Sequence, residues 1–381
     1  MKSLREIVES SPEMRAVAMH SLRREDSPQP LGPPRWNWQN VQRVLVVRLR
    51  SIGDVVLTTP TLFALRRFLP KAQIDILLED RVAPVLDGFE HVDNVITMQR
   101  GSAVSRLSVA RRLRAERYDV VYNLHGGTTA TLLTRATGAR HRVGFAHYQY
   151  QKLHNHLAPS PLLLWGKDKA HSVEQQLALI GWTGVPVTDR PPTHLAVTES
   201  AAAAVTAKLR AGGLDEAIPF ALVHPTASYA TKQWATDKFA RVVEHLASRQ
   251  LVSVAISAPA EAPLVQGMKS SSSAPIVGVT DLSLPEVSAL AARARLFVGN
   301  DSGIAHIAAA VGAPSVVIFG SSNVNHWRPW SNSPAEVVLE EMPCQPCHGY
   351  FCEKFPEPEC ILRVPVARVT AAVDRVLRVA V

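Results

Sequence analysis

Short apolar runs rich in β-branched residues recur after residue 40, and a longer stretch with helical spacing follows most of them. "RVLVVRL" (43–49), "QIDILLE" (73–79), "NVITM" (94–98) and "DVVYNL" (119–124) read as strands, with helices at about 60–69, 102–117 and 128–137 between them. Such alternation predicts a parallel, doubly wound sheet. A looser region, "HYQYQKLHNHLAPSPLLLWGKDK", leads to a helix near 170–181. The pattern restarts beyond "PVTDRPPTHLAV" with a helix over 199–211 that Gly212-Gly213 stops. Strands then fall at 219–224, 251–257, 295–299 and 314–319, and helices near 237–249, 285–292 and 303–311. "VPVARVTAAVDRVLRVAV" closes the chain as one more helix.

The expected fold is therefore α/β, with two Rossmann-like halves over 41–190 and 191–362. Ligands of such halves sit at the carboxyl ends of the strands, and a ligand between the halves would touch loops from both. Residues 1–40 stand apart. Leu4, Ile7, Val8 and Met14 fall roughly on one side of a helix, and "SPQPLGPPRWNW" reads as a Pro-rich linker. Two readings stay open for this extension: a disordered tail, or a membrane-surface or partner contact with Trp36 and Trp38 near an interface.

Length and composition narrow the class. A chain of 381 residues suggests two domains, and 46% apolar with 19% charged residues fits a globular protein. No run of about 18 apolar residues lacks a charge, so no membrane span is expected. The N-terminus has no apolar signal core, which leaves the cytoplasm as the expected compartment, with peripheral contact to the inner membrane as an extension of that reading. The formal charge of +8 suits anionic partners. No helix interleaves a dense basic stripe with aromatics, so nucleic acid is not an expected partner.

Candidate chemistry concentrates in strand-end loops. In "LFVGNDSGIAHIAAAVGAPSVVIFG" (296–320) a strand runs into a small polar loop and a small-residue helix, with Asp301 or Ser302 as its cap. The free N–H groups at Gly303 and beyond, with His306 one turn in, suit a diphosphate without needing a lysine. "ALVHPTASYATKQWATDKF" places Thr226 and Lys232 in a loop at the same end of the same half, with Trp234 as a packing anchor. Glu261, in the loop "AISAPAEAPL", is either a ribose-hydroxyl acceptor or a helix-start residue. His125, Arg140 and Arg142 are candidates to face an anionic substrate, against the alternative of a solvated basic surface. "RSIGDVVLTTP" (50–60) has one glycine, which excludes both a dinucleotide fingerprint and a Walker loop. Asp54 is either a helix cap or, if Pro60 opens a second helix capped by Thr59, a freer carboxylate in a loose turn. Cys344, Cys347, Cys352 and Cys360 suggest a structural Zn²⁺ or Fe–S site, two labile disulfides, or reduced packing thiols.

Taken together, "VLVVRLRSIGDVVLTTPTLFALRRFLP", "HPTASYATKQW", "VGNDSGIAHIAAAVGAPSVVIFG" and "PCQPCHGYFC" resemble glycosyltransferase family 9, the ADP-heptose:lipopolysaccharide heptosyltransferases, over about residues 43 to 379. The resemblance implies a GT-B fold whose C-terminal helix, 363–381, crosses back to the first domain. It implies metal-independent, inverting transfer of a heptose from an ADP-sugar to a lipid-linked anionic glycan, the lipopolysaccharide inner core. Asp54 matches the family's general base and Lys232 its phosphate-contacting lysine. Glu261 falls where the family has a ribose-binding glutamate, although "SAPAE" lacks the usual glycine pair. Asp301, Ser302, Gly303 and His306 match its diphosphate loop, Thr226 joins the donor-binding set, and His125 stands on the acceptor side.

Overall fold

A computed structural model describes residues 27–347 and 350–380; the segment carrying Leu4, Ile7, Val8 and Met14 lies outside them. The first sheet contains β1 (Arg43–Val47), β2 (Gln73–Glu79), β3 (Asn94–Met98), β4 (Val120–Asn123), β5 (His141–Phe145) and β6 (His156–Ala158), in the order β3-β2-β1-β4-β5-β6. The second contains β7 (Phe220–His224), β8 (Val252–Ile256), β9 (Ile276–Val279), β10 (Leu296–Asn300), β11 (Ser315–Phe319) and β12 (Ala335–Leu339), in the order β12-β11-β10-β7-β8-β9. Every strand pair is parallel. Counting β7 as the first strand of its sheet, the second order repeats the first. Both sheets reverse winding direction at one place, between β1 and β4 and between β7 and β10. Such switch points leave a crevice beyond the strand ends.

The central strands are apolar on both faces because helices cover both; Val44, Leu45, Val46 and Val47 of β1 are fully buried. The small residues of the helix Gly303–Ala310 let it lie close to β10 and β11 and against the helix Leu284–Arg293. A chain crossing, Pro191 to Val197, joins the units. It is pinned by Trp330, whose Nε1 donates to the Pro191 carbonyl (3.0 Å) and whose carbonyl accepts from Thr193 N (3.1 Å). The Trp330 ring stacks on His171 at 4.6 Å. Apolar packing is continuous across this junction.

Two expectations change. The Pro-rich segment is no free linker: residues 27–40 strap the end of the first unit. Leu31 N donates to Gly181 O (3.0 Å), Trp38 Nε1 to Thr183 O (3.1 Å), and Trp36 stacks on His141 at 4.4 Å. Prolines that cannot join a sheet ladder suit such a strap, and Trp36 and Trp38 are spent on it. The C-terminal helix Val366–Val379 does not pack back on the first unit. Val369, Ala372, Val373 and Val376, one stripe at helical spacing, bury against the helix Thr236–Ser248 and against β10, β11 and β12.

Candidate functional site

Beyond β1 the chain forms a short helix, Ile52–Val56, and then a second, Thr59–Phe68. Pro60 explains the break, since its ring collides with a helical carbonyl four residues back and it has no N–H to offer Val56. The Thr59 hydroxyl takes over that carbonyl, donating to Val56 O at 2.7 Å, and the Thr58 hydroxyl donates to Asp54 O at 2.8 Å. Thr58, not Thr59, is the N-cap, and Pro60 sits second in the helix.

Asp54 is therefore not in a loose turn. It is the third residue of the short helix, and both oxygens of its carboxylate are held while one side still faces the cavity. Ser51 N donates to Oδ2 (3.0 Å), the Ser51 hydroxyl lies at 3.2 Å, and the Arg48 guanidinium is paired with Oδ1. Burial pushes the Asp54 carboxyl up, but the Arg48 charge and the Ser51 N–H outweigh it and hold the group below the usual carboxylate range. Arg48 also donates to Leu124 O, which ties the base to the end of β4. Replacing Arg48 by Met leaves burial without the compensating charge. The acid limb of a kcat/KM profile is expected to move up by roughly one to three pH units. An unmoved limb would show that Arg48 does not set the Asp54 titration.

His125 follows β4, its N–H bonded to Asn123 Oδ1 at 3.1 Å. Burial, then the Arg48 and Arg50 charges, push its ring down to about 4 against the pull of Asp54, so it is neutral at ordinary pH. It stands beside Arg48 and Asp54 rather than in the wall of the cavity that Asp54 shares with the second unit. Arg142 is spent on structure, donating to Ala139 O (2.7 Å) and Leu153 O (3.2 Å).

In the second unit, Asn300 ends β10 and stitches the loops together. Its Nδ2 donates to Pro225 O (2.9 Å) and its Oδ1 accepts from Trp234 N (3.1 Å). Trp234 is fully buried, with Nε1 on Val364 O at 3.0 Å, as a packing anchor should be. The loop they fix delivers Lys232, whose Nζ pairs with Asp301 Oδ2 at 2.9 Å. Asp301 is thus committed to Lys232 rather than to a cap. Ser302 is the N-cap position, but its hydroxyl lies 3.3 Å from His224 Nδ1 and no side chain caps the helix. The first-turn N–H groups from Gly303 onward stay open to an anion. His306 is buried one turn in, and its Nδ1 has no partner among the described residues. Burial, helped by Lys232, pushes its ring below the usual imidazole range although Asp301 and Asp54 pull the other way.

The two units meet where Gly53 faces Gly303: a Cβ on Gly303 would lie 3.2 Å from Gly53 N. A Cβ on Gly303 would lie 2.8 Å from Ile52 Cβ, and one on Gly53 would lie 2.7 Å from His306 Cδ2. Gly303→Ala is expected to separate the two loops by a fraction of an ångström and lower turnover by about 10²-fold, because misplacement of that order is costly. Steady-state kinetics with an unchanged melting temperature would carry the point; unchanged turnover would refute it.

A cavity of about 370 Å³ lies above this contact, with Asp54 and Ser51 on one side and Lys232, Asp301, Ser302, Gly303 and His306 on the other. Ser321, Trp327, Pro346 and Cys347 complete it. A neighbouring cavity of about 260 Å³ shares Ser302 and Gly303 and is more apolar, lined by Ile256, Leu282, Leu284 and Val287. Thr226 and Glu261 stand at its polar side, with the Thr226 hydroxyl on Glu261 Oε2 at 3.0 Å. Arg48, Ser51 and Asn300 escaped sequence reading. Only Arg48 left a signal, as a charge ending an otherwise apolar strand run.

The four cysteines carry free thiols. Burial first, then the neighbouring thiols Cys347, Cys344 and Cys352, push Cys360 up to about 11. They share a neighbourhood, but among the described residues no three His, Cys, Asp or Glu side chains are arranged to hold an ion. No step of the reaction is assigned to a metal.

Two Rossmann-like units closing on one cleft, with an anion loop on one side and a carboxylate on the other, define a sugar-transferring enzyme of the GT-B class. The chain belongs to glycosyltransferase family 9 (heptosyltransferase), whose sequence pattern matches residues 106–355. It is 29% identical over 350 residues to lipopolysaccharide heptosyltransferase 3 of Escherichia coli, covering 86% of this chain and 97% of that one. Among solved structures it is similar to a glycosyl transferase family 9 protein from Veillonella parvula, with a TM-score of 0.76, 22% identity, and 88% and 97% of the two chains covered. The E. coli ADP-heptose lps heptosyltransferase II structure gives a TM-score of 0.72 at 21% identity, covering 88% and 99%. Among the described residues no helix is long and apolar enough to cross a membrane.

Proposed function

We propose that this enzyme moves a heptose from ADP-heptose to a sugar of the lipopolysaccharide inner core, with inversion at the anomeric carbon. The observation that carries the reading is the single cavity that brings Asp54 opposite Lys232, His306 and the open helix terminus at Gly303. The named relatives support the donor and the acceptor class.

The adenosine would occupy the apolar cavity, with ribose hydroxyls on Glu261 and Thr226. The diphosphate would lie over Ser302 and Gly303, leaving the sugar beneath Asp54. An acceptor hydroxyl enters from the first unit. As its oxygen bonds to the anomeric carbon, the bond from that carbon to the phosphate oxygen breaks and the proton passes to the Asp54 carboxylate. ADP leaves with its new charge met by Lys232, the first-turn N–H groups and an N–H of His306. A carboxylate held this acidic takes the proton late, once bond formation has acidified the hydroxyl. Asp301 fixes the lysine's direction.

The test is ADP release from ADP-heptose in the presence of an inner-core acceptor, with the product's anomeric configuration read by NMR. Acceptor-dependent release and an inverted linkage are expected. Retention of configuration, or turnover only with a different nucleotide sugar, would overturn the proposal.

A further inference from the structure

The helix Ala103–Ala115 is anchored on one side only. Val109 and Leu113 are its buried residues, and the helix lies against β3 and the helix Thr128–Ala136, in an apolar cluster that also holds Leu45, Val47 and Leu77. At 3.6 residues per turn the opposite ridge carries Val104, Leu107 and Arg111, with Arg114 on its flank, its guanidinium beside Gly138. Val104 is 80% exposed and Leu107 53%; on the neighbouring helix Thr128–Ala136, Leu132 is 54% exposed and Arg135 lies beside it on the same turn. Single exposed apolar side chains are ordinary. Their company here is not.

Residues 100–117 hold six arginines and one acidic residue, Glu116, which is paired with Arg43. Some exposed arginines elsewhere find carboxylates, as Arg210 does in Glu216, Arg241 in Glu244 and Arg375 in Glu336, while Arg81, Arg140 and Arg295 stand singly without an ion pair among the described residues. Among the described residues no carboxylate forms an ion pair with Arg106, Arg111, Arg112 or Arg114. The surface thus joins unpaired positive charge to exposed branched aliphatic side chains. The helix also begins just past the carboxyl end of β3, the sheet edge that faces the cleft, so its apolar first turn lies nearest the site.

We infer that this ridge docks the enzyme on an anionic phospholipid surface. Arg111 and Arg114 meet headgroup phosphates, while Val104 and Leu107 enter the interfacial layer beside the cleft mouth. Charge complementarity favours this occupant, and aliphatic side chains at the leading turn fit a bilayer boundary better than a nucleic acid, which takes aromatics and hydrogen-bond donors. The inference holds whether or not the donor is ADP-heptose.

Co-sedimentation of the full chain with vesicles tests it. Vesicles of phosphatidylcholine with phosphatidylglycerol are expected to bind the protein, and pure phosphatidylcholine is not; binding is expected to fall at high salt. Arg111→Glu with Arg114→Glu should lower the partition coefficient at least about tenfold, at roughly fivefold for each lost arginine. Val104→Ser with Leu107→Ser should lower it by a similar factor. Arg210→Glu with Arg241→Glu, an equal charge change on the second unit, should lower it less than twofold, and circular dichroism should be unchanged in all three. Equal binding to neutral vesicles, or anionic binding that neither ridge variant weakens, would overturn the proposal. RNA retention on filters with no vesicle affinity would assign the face to nucleic acid and overturn it as well.

Discussion

Asp54→Asn is expected to lower the transfer rate constant by about 10²–10⁴-fold, the usual range for loss of a positioned base. Affinity for ADP should stay within about twofold, because the diphosphate loop and, Ile52 apart, the lining of the apolar cavity belong to the other unit. Stopped-assay kinetics and an ADP titration on the same preparation separate the two effects. The variant also leaves the Arg48 guanidinium, 12% exposed, without its carboxylate. A lower melting temperature is therefore expected alongside the kinetic loss. Arg48→Met in the Asp54→Asn background should recover part of that stability and none of the transfer. Transfer at the wild-type rate by Asp54→Asn would remove Asp54 from the role of base.

Lys232→Ala is expected to cost about 10²–10³-fold in kcat, since a preorganised charge stabiliser of the leaving group is lost. The donor KM should rise with it. The variant strands Asp301, whose side chain is 5% exposed, as an unpaired buried carboxylate facing the incoming diphosphate. Part of the loss would then be repulsion rather than missing attraction. Lys232→Ala with Asp301→Asn separates these: donor affinity should partly return, while kcat stays low. Full recovery of kcat in the double variant would mean that Lys232 merely neutralises Asp301.

The sequence displayed the architecture well where physics writes it in runs. Both faces of β1, β7 and β10 are covered, so these strands are unbroken apolar stretches. β6, β9 and β12 were not legible because they are sheet edges, short and half exposed: "HLA", "IVGV" and "AEVVL" carry no continuous apolar run. β5, "HRVGF", hid behind its histidine, arginine and glycine, whose side chains serve packing and loop contacts. The helix Ala262–Ser271 went unread because Pro263 and Gly267 interrupt its spacing. At the site, the loops and several of their residues were visible as small polar breaks after strands. Their pairings were not. Nothing in the order of residues says that Asp301 spends itself on Lys232, or that Arg48 reaches back to Asp54. Those contacts arise from strands far apart in sequence and adjacent only through the switch-point topology.

The touching glycines, Gly53 and Gly303, act as a fulcrum. If the lobes rock, rotation about that contact moves nearby atoms least and distant ones most. Asp54 and the first turn at Gly303 sit almost on the axis, so their spacing is nearly preserved through an opening stroke. The parts of each lobe farthest from that contact, the edge strands β3, β6, β9 and β12, sweep wider arcs. Such a stroke widens the cleft without dismantling the alignment that the chemistry requires.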